Sequence, residues 1–240
     1  MERVILQVTG PERVEFLQGL VTNRIGDAPC YAALLTPQGK YLADFLIVPR
    51  GDALLLDVDS GLADDLLRRL SMYKLRSKVD VAGSDLKVMR GTGDLPKGAV
   101  IDTRHDALGW RLYGDQGGDD GTDWDAIRVA HCIPQSGIEL IPNDTFILEA
   151  GFERLHGVDF RKGCFVGQEV TARMKHKTEL RKGLRTVLIQ GSAPVGTPIL
   201  KDEREIGTLY TQSGGQAIAQ LRFDRVGPGM TAGEAEIHVP

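Results

Sequence analysis

The chain has 240 residues, 26.2 kDa, 42% apolar and 26% charged residues, enough to bury a sizeable core in two or three compact units. A formal net charge of −4 argues against a dedicated nucleic-acid binder, which is usually basic over a whole domain. No apolar run approaches the roughly 18 residues that span a bilayer, and three widely spaced cysteines do not read as a disulfide framework. Met1-Glu2-Arg3-Val4-Ile5-Leu6 lacks the apolar core and cleavage site of a signal peptide. A cytoplasmic monomer is expected.

Val4 to Val8 is a short β-type run, after which Gly10-Pro11 opens a helix through Phe16, Leu17 and Leu20. Tyr31–Thr36 and Tyr41–Val48 are β-prone runs joined by Pro37-Gln38-Gly39-Lys40, the pattern of a hairpin. Arg50-Gly51-Asp52 turns the chain into a strand over Ala53–Val58. Ser60 then caps a helix carrying Leu62, Leu66, Leu67 and Leu70. That order predicts an α+β unit with an antiparallel sheet. Further strands are expected at Leu86–Arg90, Ala99–Ile101 and Trp110–Tyr113. Gly114–Asp123 reads as a mobile polar loop. Thr122 with Asp125 resembles a capping box for a helix over Trp124–Cys132, with Trp124, Ile127 and Ala130 on its buried face. Ile147 to Phe152, an apolar helix start containing Glu149, leads through Val158 and Phe160 to residue 161. Beyond Lys182 short strands alternate with glycine and proline turns up to Val239, the pattern of a small all-β sandwich or barrel. A domain boundary is expected near 178–183.

Arg161-Lys162-Gly163-Cys164-Phe165-Val166-Gly167-Gln168-Glu169 crowds cations, glycines, a thiol, an amide and a carboxylate into nine residues. Two glycines four apart predict a shaped loop that presents Cys164 and enters a helix, with Glu169 and Arg173 one turn apart on a common face. A lone cysteine is commonly a small buried hydrophobe. Against that, neighbouring cations and a helix N-terminus favour the thiolate. Three cysteines without C-x₂-C spacing do not complete a self-held iron–sulfur cluster, which takes four. Glu149, between Leu148 and Ala150, is either an ordinary exposed or helix-capping carboxylate or an acceptor for paired N–H donors. The basic run Arg173, Lys175, His176, Lys177, Arg181, Lys182 is either a solvated face or a contact for a polyanion.

Lys162-Gly163-Cys164-Phe165-Val166-Gly167-Gln168-Glu169 resembles the K-G-C-[YF]-x-G-Q-E signature of the YgfZ family, folate-binding relatives of the glycine-cleavage T-protein implicated in iron–sulfur protein maturation and repair. The likeness extends over residues 16 to 183. Phe16-Leu17-Gln18-Gly19-Leu20-Val21-Thr22-Asn23 is similar to the shared F-L-Q-x-L-x-T-N-D stretch, with Arg24 in place of the acid. Leu148-Glu149-Ala150-Gly151 is similar to the stretch whose glutamate holds the pterin, and Met72-Tyr73-Lys74-Leu75-Arg76 to the M-Y-[KR]-L-R segment. The T-protein hairpin carries paired aspartates where this chain has Ala43-Asp44.

The resemblance implies an α+β, T-protein-like fold. Two subdomains in residues 1–180, split near 85–100, would surround a central folate cavity, and residues 181–240 would form an all-β barrel. It implies tetrahydrofolate or a derivative as cofactor. Glu149 would hold the pterin, and Lys162, Gly163, Gln168, Glu169 and Arg173 would bind beside it, with Cys164 and Asp44 as the reactive groups. The expected function is an accessory role in iron–sulfur assembly or repair, with client or assembly proteins as partners and tRNA modification affected through client enzymes. The alternatives are a folate-dependent aminomethyl or one-carbon transferase, and an RNA-modification or protein-interaction module that keeps the fold alone.

Overall fold

Apolar runs that lack polar alternation demand strands covered on both faces, and the first sheet answers that demand. In the computed structural model, which describes residues 2–177 and 179–240, five antiparallel strands take the order β2-β3-β4-β1-β5. They are β1 Arg3–Thr9, β2 Cys30–Leu35, β3 Tyr41–Arg50, β4 Ala53–Asp59 and β5 Asp80–Ser84. One face, with Leu6, Val8, Phe45 and Ile47, packs under helices α1 (Arg13–Gln18) and α2 (Ser60–Tyr73). The other, with Ile5, Tyr31, Leu46 and Leu55, packs on Phe152, Leu155 and Phe165. Hence Tyr41 to Val48 are all buried.

A second, four-stranded sheet, β7-β8-β6-β9, comprises β6 Lys87–Gly91, β7 Val100–Ile101, β8 Trp110–Gly114 and β9 Gly118–Asp119. Helix α3 (Trp124–Ala130) follows, then a long succession of turns, then α4 (Gln168–Lys177). From Lys182 the chain closes a six-stranded barrel around its own core of Val187, Ile199, Leu209 and Ile237. Its strands are β10 Lys182–Gln190, β11 Pro198–Lys201, β12 Arg204–Ser213, β13 Gln216–Arg222, β14 Met230–Ala232 and β15 Ala235–His238. Met1 and Thr178, the latter at the expected domain boundary, lie outside the described residues. Among those described, no helix is long and apolar enough to cross a membrane.

Several local expectations change. Pro11 sits in the turn before α1, whose first helical residue is Arg13. Asp59, not Ser60, caps α2 by accepting the Gly61 amide at 2.9 Å. Asp123, not Thr122, caps α3. The deeply buried residues of α3 are Arg128 and Val129, whereas Ala130 is exposed. The loop expected to be mobile is tied down: β9 pairs parallel with β6, and the Asp120 carboxylate accepts the Thr92 amide at 2.8 Å. Residues 147–152 are turns, not a helix start.

Two buried ion clusters join these units. Asp57 on β4, fully buried, accepts from Arg3 Nε at 2.6 Å, from Arg111, and from the Tyr113 hydroxyl at 2.9 Å. Arg111 on β8 also donates to Asp102 at 2.9 Å, and Arg104 grips Asp102 with two bonds of 2.8 and 2.9 Å. The first and second sheets meet through this cluster. Arg128 of α3 holds Glu139 at 3.1 Å and Thr211 of the barrel at 2.6 Å, which fastens body to barrel.

Candidate functional site

The signature stretch folds as a loop because two glycines have different obligations. Gly163 adopts φ +102°, open to glycine and costly for other residues, yet nothing lies near the place of a Cβ. Gly167, at φ +82°, is also a close approach: a Cβ there would stand 2.6 Å from the Thr36 carbonyl oxygen and 3.1 Å from the Gly39 Cα. Gly39 in turn leaves 2.9 Å between its own Cβ position and Val170. The β2–β3 turn and the entry of α4 are thus pressed together glycine to glycine.

Lys162 anchors the other end of the loop. Its ammonium donates to the carbonyls of Gln18 and Val21 at 2.6 and 2.8 Å and stands 4.9 Å from the Phe165 ring centre. Half-burial pulls its pKa down to about 8, partly offset by Asp159. The Thr22-Asn23-Arg24 stretch closes on the same segment. Thr22 donates to the Gly157 carbonyl, Asn23 to those of Tyr31 and His156, and Arg24 pairs with Asp159 at 3.1 Å. Lys162 is therefore a brace more than a free ligand. Above it, Cys164 is exposed while Phe165 is buried.

The structure also brings in Cys30, which spacing in the sequence sets aside. Lys162 acts electrostatically on both Cys30 and Cys164, and burial pushes the Cys30 thiol up to about 12 despite that neighbour. Among the described residues, no group of three or more His, Cys, Asp or Glu side chains is arranged to hold a metal ion. Gln168 opens α4, half-buried, and Glu169 and Arg173 form the expected pair at 2.9 Å. Their side chains are 85% and 60% exposed, so the pair contributes at most a few tenths of a kcal/mol.

Asp44, expected as a reactive group, is already engaged by neighbouring hydroxyls. It is buried on β3, and its oxygens accept hydroxyls from Tyr31 at 2.9 Å, Tyr41 at 2.6 Å and Ser136 at 2.6 Å. Both tyrosines are held well above the usual phenol range, by burial first and the carboxylate second.

Glu149 lies elsewhere. Its side chain is 10% exposed and faces Lys182 at 3.4 Å. Burial raises its pKa, with Lys182 opposing. It lines a cavity of about 460 Å³ at the seam between body and barrel, with Cys132, Arg154, Arg185, Thr186 and Phe223. Gly183 brings the barrel strand to the Glu149 carbonyl, where a Cβ would sit at 2.9 Å and where the Leu184 amide donates at 2.8 Å. Residues 162–173 are not among the walls of this cavity. The carboxylate and the signature thiol thus occupy separate stations, not the single cavity mouth expected. The cavity falls within the usual size of small-molecule sites. It offers one buried acceptor, cations and an aromatic face, which suits a planar ligand with paired N–H donors and an anionic tail.

Residues 181–240 match the family described as CAF17, C-terminal beta-barrel domain. The chain is similar to "Iron-sulfur cluster assembly factor IBA57 homolog, mitochondrial" of Neurospora crassa, 32% identical over 80% of this chain and 54% of the relative. It is 31% identical to the Mus musculus IBA57 over 80% of this chain and 66% of that protein. With the Homo sapiens protein it shares 29% over 93% of this chain and 76% of the relative. The chain thus spans from about half to two thirds of the length of the first two of these relatives. The likeness expected to the YgfZ family is here a likeness to proteins named IBA57. The fold is that of the glycine cleavage system aminomethyltransferase T of Bartonella henselae, with a TM-score of 0.74 over 98% of this chain and 81% of that one, at 16% identity. The expected cytoplasmic location is overturned: these relatives carry mitochondrial names. Free cysteines distinguish a reducing from an oxidising compartment, not one reducing compartment from another.

Proposed function

We propose that the chain is an iron–sulfur cluster assembly factor that works by binding and presentation, with a folate-type ligand in the Glu149 cavity and Cys164 as the thiol that meets the cargo. The observation that carries the reading is the exposed Cys164 on a braced glycine loop, in a chain similar to proteins named for cluster assembly. Three cysteines are too few for a self-held cluster. Cys164 therefore lends one ligand to a cluster whose other ligands belong to an assembly or client protein. Asp44, whose oxygens already accept three hydroxyls, gives no support to a one-carbon transferase built on it.

Two measurements test the two stations separately. Calorimetry should record tetrahydrofolate binding by the native chain and its loss, at least tenfold, in Glu149→Ala, because buried donors on the ligand would go unpaired. Affinity should also fall as pH drops through the raised pKa of Glu149, since a protonated carboxyl accepts fewer hydrogen bonds. Equal affinity in both proteins would sink the pocket. Cys164→Ala should keep tetrahydrofolate binding but fail to restore iron–sulfur enzyme activities in a deletion strain. Full restoration would remove the thiol from the function.

A further inference from the structure

Met72, Tyr73 and Leu75 are exposed by 54%, 36% and 87%, three large apolar side chains within four residues at the C-terminus of α2. None of the roles assigned above uses them. Leu75 also has φ +37°, a left-handed backbone that bulky residues adopt only at a cost. The segment is nevertheless firmly held. The Lys74 amide closes α2 on the Leu70 carbonyl, the Ser77 amide returns to the Lys74 carbonyl, and the Lys78 amide donates to the Glu12 carboxylate at 2.9 Å. Gly10 packs against the Lys78 backbone so closely that a Cβ would stand 2.3 Å from its carbonyl oxygen. The result is a preformed open groove lined by Glu12 and residues 73–77, with the Leu75 side chain offered to solvent.

Exposed apolar side chains clustered together and rimmed by charges mark an interaction surface. The charge around it selects the occupant. Lys74, Arg76 and Lys78 flank the apolar residues, and among the described residues only the Lys74 ammonium of these three has an ion-pair partner, Asp80 at 3.4 Å. We propose that residues 72–78 are a docking site for an acidic, amphipathic segment of a partner protein, with Leu75 as the anchor and Arg76 and Lys78 facing its carboxylates. A membrane fits less well. Surfaces that hold anionic lipid gather about four to eight cations, whereas here the groove walls carry two, Lys74 and Arg76, together with Glu12. The inference does not depend on the folate cavity or on Cys164.

The test uses the full chain and a fluorescein-labelled synthetic helix with leucines on one face and glutamates on the other, read by fluorescence anisotropy. The native chain should bind this probe. Leu75→Ser should weaken binding at least tenfold, the loss expected for one buried leucine, with an unchanged melting temperature because Leu75 is already in solvent. Arg76→Glu should weaken binding and flatten its salt dependence. The same peptide with lysines for glutamates should bind poorly, as should phosphatidylglycerol vesicles. A native chain that ignores the acidic probe, or Leu75→Ser binding as well as the native chain, overturns the proposal. So does vesicle binding that is lost with Leu75→Ser, which would make this a membrane face.

Discussion

Asp57→Asn should destabilise the chain by about 3–5 kcal/mol, the usual cost of removing one partner from a buried ion cluster. In a chain of this size that lowers the melting temperature by roughly 6–20 °C. The substitution hardly changes volume, so the effect isolates charge. Asp57 and Asp102 together face Arg3, Arg104 and Arg111 in the buried cluster. Without the Asp57 charge, three guanidinium groups share one carboxylate, and the single amide oxygen of asparagine cannot accept both from Arg3 and from the Arg111–Tyr113 side, as the two carboxylate oxygens do. The acid response gives an independent check. Arg111 and Arg3 hold the Asp57 carboxyl below its usual range against the cost of burial, and Arg104 and Arg111 do the same for Asp102. A carboxylate whose pKa is depressed by folding stabilises above its unfolded pKa, near 4, and that contribution fades as pH falls toward the folded value. The gap between native and Asp57→Asn melting temperatures should therefore be full at pH 7 and shrink below about pH 4. A gap under 2 °C at pH 7, or one that widens in acid, would show that the cluster does not hold the two sheets together.

Nothing in the sequence announces that cluster. Arg3, Asp57 and Arg111 lie on separate strands and Asp102 just past β7, and in isolation each reads as a surface charge. What was legible was local. The Pro37–Lys40 hairpin, the barrel strands and the glycine-shaped entry to α4 all follow from turn residues beside β-prone or helical runs. The Glu169–Arg173 pair follows from helical spacing alone. The failures share one cause, competition from groups distant in the chain. Thr122 had a capping pattern, but Asp120 and Thr92 engage its hydroxyl and Asp123 takes over the cap. Asp44 stood on a hairpin strand like any solvated acid until Ser136, 92 residues away, closed over it with two tyrosines. The walls of the Glu149 cavity come from residues near 131, 150, 185 and 223, so the motif could single out its carboxylate but not its surroundings.

The signature glycines, which spacing did single out, permit the sharpest test of how Cys164 is presented. Gly163→Ala should cost about 1–2 kcal/mol, the penalty for a side chain at positive φ, because the space around it is open. Gly167→Ala incurs the same penalty and drives a Cβ into the Thr36 carbonyl, a backbone atom that cannot swing aside. Overpacking of that kind adds roughly 1–3 kcal/mol, for a total near 2–5. Gly39→Ala should cost nearly as much as Gly167→Ala, since its Cβ would meet the Val170 Cβ, which is fixed to the α4 backbone. If the two glycines form one clamp, Gly39→Ala with Gly167→Ala should cost less than the sum of the singles, because the turn displaced by the first no longer opposes the second. Thiol alkylation ties this to function. Burial holds the Cys30 and Cys132 thiols above their usual pKa, which suppresses their thiolates, so iodoacetamide should mark exposed Cys164 first. Gly167→Ala should change that rate and Gly39→Ala should change it in the same direction. A Gly163→Ala protein less stable than Gly167→Ala, or an unaltered alkylation rate in Gly167→Ala, would mean that the loop holds its thiol without the clamp.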